Sequence, residues 1–241
     1  MQFNALVEEW PGESMVFFRE LSGCCLSAAT SQAALQAAPA AIEQYFRWLK
    51  TNDLTIVEGD IHPIEVVLTE RLSSTANSTG PLFQADLVEP TEVEIDNTLN
   101  VAATARALII EVIANVPAEY LEQALTPESW SLIQHLQHIM ETENWYVSRL
   151  QEQHVETIPA SSMTADDLSM KVFEDAMDNE LILRNLTTTQ LHQVFLHEGE
   201  QWTAAKVLRR QAGHLYEHLL SMMELERQLT AQAKSARQPG R

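Results

Sequence analysis

After about residue 90, four long stretches place an apolar residue every third or fourth position. That period commits this part of the chain to helices packed face to face. In the first stretch, IDNTLNVAATARALIIEVIANV, the stripe is Leu99, Ala102, Leu108, Ile109, Val112, Ile113 and Val116, and Pro117 stops it. The second runs from about Pro127 to Gln151, where Thr126-Pro127-Glu128 supplies a cap, a proline at the first helical position and an early acid. The third runs from Thr164, with Asp166 and Asp167 behind it, to Leu186, and the fourth from Trp202 to about Lys234. Four such helices in series predict an all-α up-down four-helix bundle over residues 91–235. Between the third and fourth, TTTQLHQVFLHEGEQ either extends or forms short turns.

The first seventy residues have a different rhythm. QFNALVEEW alternates as a half-buried strand does, PGE turns the chain, and SMVFFREL and CCLSAAT are further strands. Thr30 caps an Ala-rich helix, within which Pro39 predicts a kink or a late start. A last strand falls around IEVVLTE. The N-terminal part is therefore an α+β domain of three strands, a helix and a strand. SSTANSTGPLFQ has a linker composition. The expected division is a domain at 1–73, a linker at 74–90, the bundle at 91–235 and a disordered tail at 236–241.

The stretch FRELSGCCLSAATSQAALQAAPAAIEQYFRWL resembles the HicB-like family, with Leu21-Ser22-Gly23-Cys24 at the turn and Ala33-Ala34 near the helix start. That resemblance covers about a quarter of the chain. It implies a partner-binding module of the bacterial toxin–antitoxin kind.

Charge narrows the partners. A net charge of −19 disfavours nucleic acid and anionic membranes, although Arg209 and Arg210 make a local basic pair. No apolar run approaches the length of a membrane span, and the N-terminus lacks the pattern of a signal peptide, so the expected location is the cytoplasm. Cys24 and Cys25, adjacent and without other cysteines, suit neither a disulfide nor a zinc site and are read as structural.

The chemistry lies in the histidines. His214 and His218, four apart on the fourth helix, point the same way. An open metal site needs a third protein ligand, and the second helix offers His135 or His138. Trp130-Ser131, His138-Ile139 and Glu143, together with Trp202-Thr203, Arg209-Arg210 and His214/His218, resemble the DinB/YfiT-like family in spacing and order. The resemblance covers about residues 92–235. It implies a four-helix bundle with a divalent metal, zinc or nickel, on His138, His214 and His218. It further implies a metal-dependent transferase or hydrolase that acts on a small-molecule substrate and uses a low-molecular-weight thiol.

His135, Glu143, Tyr146, Tyr216 and Glu217 are candidates to line the pocket or support the ligands, with Glu141 beside Glu143 as an orienting carboxylate. His192 and His197 are read as loop or lid residues, His154 as a loop residue, and Trp130 and Trp202 as core anchors. The alternative reading has no chemistry. In it the HicB-like part pairs with a small basic protein, and the bundle serves as a homodimerisation unit.

Overall fold

A computed structural model describes residues 1–57, 59–74, 80–151 and 163–236. His154 and the tail beyond residue 236 lie outside the described residues. The N-terminal part holds β1 (Gln2–Trp10), β2 (Glu13–Phe18), β3 (Cys25–Ala28), α1 (Ser31–Thr51) and β4 (Glu65–Ser73). The sheet order is β3-β2-β1-β4, with β1 antiparallel to β2 and parallel to β4. Gly12 takes φ +86° in the tight β1–β2 turn, where a side chain would be strained. Thr30 caps α1 by accepting from the Ala33 amide.

Pro39 neither breaks α1 nor delays its start. It is exposed, so its ring displaces no core side chain, and the helix gives up only the bond to the Leu35 carbonyl.

β1 is not half-buried. Phe3, Ala5 and Val7 point to α1, where they meet Ala34, Ala38, Ile42 and Tyr45. Leu6 packs on the opposite face with Phe17, Cys25 and Phe83. Glu8, on that same face, is fully buried. Both sides of β1 are therefore covered within the chain, whereas the edge strand β4 leaves Val67 and Leu68 exposed.

The C-terminal part is mostly helical: α2 (Glu92–Asn115), α3 (Leu132–Ser148), α4 (Ala165–Arg184), the short α5 (Thr188–His192), a β5–β6 hairpin (Phe195–His197, Glu200–Trp202) and α6 (Ala204–Ala236). α2 packs on α6 and α4, and α3 packs on α4 and α6. Thr91 with Glu94 and Ser131 with Gln134 form reciprocal capping boxes at α2 and α3, and Thr164 caps α4. α3 thus starts at Leu132 and not near Pro127. Thr126 instead closes a turn with Ser129, while Leu121 tucks under the helix start. Trp202 ends β6, fully buried, and Thr203 caps α6 through the Lys206 amide. The 187–201 connection forms α5 and the hairpin.

α2 corrects the expectation that no stretch approaches span length, since its length and apolar content would suffice. Half of its apolar window is buried, and Ala105, Ile109 and Val112 sit in the helical core.

α6 joins the two parts. Arg209 grips Asp86 through two bonds of 2.9 and 2.7 Å and reaches Glu8 at 3.1 Å, while Arg210 bonds the other Glu8 oxygen. The two arginines are thus charge-matched inside the protein and do not form a basic patch. Within the segment expected to link the domains, Phe83 is fully buried and Asp86 nearly so. At Gly213 a Cβ would stand 3.2 Å from the Phe17 ring, a tight contact to which the ring would have to yield, so glycine eases the close approach of α6 to the sheet. The Cys25 thiol donates to the Gly213 carbonyl at 3.3 Å. Both cysteines are free and buried.

Removing Glu8 would leave two guanidiniums without that carboxylate in a dry interface. Glu8→Ala is expected to cost about 3–5 kcal/mol of unfolding free energy, measured by urea denaturation. A loss no larger than that of a surface Glu→Ala change would contradict the clamp.

Candidate metal centre

α3 and α6 lie side by side, and each turns two histidines to the seam. His138 Nε2 and His214 Nε2 are 3.0 Å apart. His135 Nδ1 and His218 Nδ1 are 2.8 Å apart. His138, His214 and His218 each offer a nitrogen within 4.8 Å of the other two. Two nitrogens on one tetrahedral zinc, each about 2.05 Å from it, would be about 3.3 Å apart. The His138–His214 separation is already close to that value, and a single ion would draw the third nitrogen in from within 4.8 Å.

Electrostatics favours the same use. Burial holds the His218 imidazole down to about 3, with His135 and His138 adding to the effect. Burial and His138 hold His135 down to about 4. His214 is pushed well below its ordinary value by burial and then by His218 and His138. His138 is lowered by burial, against the pull of Glu141. The rings are therefore neutral at pH 7, the form that can ligate a Lewis acid.

Two buried atoms beside the cluster lack a partner among the described residues, His214 Nδ1 and Gln211 Oε1. They are three residues apart on α6, one turn along the same face. A metal-bound imidazole usually donates its other N–H to an oxygen, so this pair is what a ligand at His214 Nε2 would need. Gln211 Nε2 donates to Glu143 Oε1 at 3.0 Å, and Arg106 Nε donates to Glu143 Oε2 at 3.1 Å. A buried polar chain thus runs from α2 through α3 to Gln211 on α6, one turn before His214.

Several expected roles change. Glu143 does not touch an imidazole, because Arg106 and Gln211 occupy it. Glu141 is exposed. Tyr216 packs edge-on against Tyr45 at 4.9 Å and Trp48 at 5.0 Å, on the side of α6 that meets α1. Glu217 accepts from the Ser27 hydroxyl of β3. Tyr146 does reach the cluster, its ring edge-on to His214 at 5.9 Å.

Trp130 is no core anchor. It is 42% exposed, and its ring stands 4.7 Å from His138, 5.4 Å from His135 and 6.0 Å from His218, covering the mouth of the cluster. His192 pairs with Glu89 at 2.9 Å, and His197 bonds the Arg149 carbonyl at 2.9 Å, both apart from the cluster. Arg106 and Gln211 went unremarked in the sequence. A lone arginine inside the apolar run AATARALII was the available signal.

The sequence model of the DinB superfamily matches residues 102–222, which is half of the chain and holds all four histidines of the cluster. The chain belongs to the DinB superfamily. Among solved structures, a DinB-like protein from Bacillus subtilis is similar over 55% of this chain and 92% of that one, at 16% identity and a TM-score of 0.45. No curated protein matches the chain.

The depressed histidines fix a pH dependence for this DinB protein without metal. Between the unfolded value near 6.5 and the folded values near 3–4 the unfolded chain binds more protons, so stability falls as pH drops through this window. In chelator, the melting temperature should fall more steeply from pH 6.5 to 4.5 for the wild type than for His135→Gln/His218→Gln. Parallel curves would contradict the assignment.

Proposed function

We propose that this DinB protein is a metal-dependent enzyme whose His138, His214 and His218 hold one divalent ion, zinc or nickel, in the core of an up-down four-helix bundle. The observation that carries the reading is that two helices bring three imidazole nitrogens within 4.8 Å of one another. An ion held by three neutral ligands keeps its full charge and acidifies a water or thiol bound to it. The reaction class is transfer or hydrolysis with a low-molecular-weight thiol as co-substrate, as the family resemblance implies.

The chain's own groups have separate tasks in this reading. His135 hydrogen-bonds His218 Nδ1, which leaves Nε2 of that ring for the ion. With the ion bound, Gln211 Oε1 would accept from His214 Nδ1, while its amide nitrogen is held by Glu143, which Arg106 pairs. Trp130 walls the mouth with an aromatic face, suited to an apolar part of a small substrate. Braced from the far side, α6 keeps its two histidines in place because Glu8 and Asp86 fix Arg209 and Arg210 one turn earlier.

Protein purified without chelator should carry about one divalent ion per chain by elemental analysis. His138→Ala, His214→Ala and His218→Ala should each lose most of it. Gln211→Leu should keep the ion but bind it about 10–100-fold more weakly. Wild-type protein that holds no metal and takes up none on titration would end the reading. Full metal binding by any of the three alanine variants would remove that residue from the ligand set.

A further inference from the structure

The outer face of α4 carries an apolar stripe. Met170, Phe173, Met177 and Leu181 are each 59–63% exposed. At 100° per residue they fall within about 80° of the helix circumference and run for about 17 Å along it. The opposite face, Leu168, Val172, Ala176 and Leu183, is buried. Single exposed apolar residues are ordinary, but a continuous stripe of four large ones marks a surface that something else covers.

The charges around the stripe say what kind of partner suits it. α4 carries six carboxylates against Lys171 and Arg184. Both cations are engaged within the chain, Lys171 with Asp175, and Arg184 with Glu180 and Asp96. Exposed Asp167, Glu174 and Asp178 line one edge of the stripe, and Asp166 stands at its start. A second copy packed antiparallel would set this acidic edge against itself. Anionic lipid and nucleic acid carry the same sign and are repelled. The two methionines give the stripe a soft surface that adapts to varied apolar side chains.

We propose that this face of α4 binds a basic amphipathic helix of another protein, its apolar residues laid on Met170, Phe173, Met177 and Leu181 and its Lys or Arg residues along Asp167, Glu174 and Asp178. This is the helix-on-apolar-face mode of recognition, with charge setting the orientation. The face proposed here for a basic partner thus lies on α4.

The test uses the full chain with two synthetic helical peptides that share one leucine face, one flanked by lysines and one by glutamates, followed by fluorescence anisotropy. The lysine peptide should bind and the glutamate peptide should not. Phe173→Asp should weaken binding about tenfold or more, and Glu174→Lys/Asp178→Lys should reverse the preference between the peptides. All three substituted positions are exposed, so the variants should melt with the wild type. Equal binding by wild type and variants, or no binding, overturns the proposal. So does a wild-type dimer in sedimentation that Phe173→Asp dissociates, because a second copy then covers the stripe.

Discussion

The structure depends on one buried carboxylate. Glu8 sits in the middle of β1, fully buried, where an isolated charge would be prohibitive. Two arginines from α6 neutralise it, and Asp86 satisfies the second side of Arg209. The arrangement fixes the rotation of α6 about its own axis. With Arg209 and Arg210 turned to the sheet and Gly213 closing the gap to Phe17, His214 and His218 are directed to α3. The N-terminal sheet thus acts on the histidine cluster through a single helix, without touching it.

On the other side of α6, the cluster is built so that its histidines stay neutral. Burial and mutual proximity disfavour four cations in one seam, and Trp130 restricts the approach of water. The Arg106–Glu143 pair behind Gln211 is buried as well, and it ties α2, α3 and α6 together at the depth of the site. Substituting either partner would leave a charge without its counter-ion beside the histidines. Stability and the geometry of the site are therefore coupled through shared residues.

Much of this was legible in the sequence, because local signals and global packing agree there. The stripes on α2, α3, α4 and α6, the Thr30 and Thr164 caps, and the β1 and β4 segments all follow from period and capping chemistry. The spacing of His214 and His218 placed two imidazoles on one helix face, and the family resemblance pointed to His138. What was not legible is tertiary. Alternation in QFNALVEEW reads as one wet face, and nothing local reveals that arginines two hundred residues away make Glu8 a buried residue. Glu143 lies near the histidines along α3, yet its partner comes from a different helix. Tyr216 and His214 are two residues apart, and so face different neighbours. Trp130 precedes its helix by two residues, and its position over the rings depends on where α6 lies.

The central claim is that three imidazoles and no cysteine sulfur hold one ion. X-ray absorption at the zinc edge of the loaded protein tests it most directly. The account predicts nitrogen or oxygen scatterers at about 2.0–2.1 Å with the outer-shell signature of three imidazoles. A sulfur contribution at about 2.3 Å would place the ion at Cys24 or Cys25, and a spectrum of fewer than three imidazoles would break the His138, His214 and His218 set.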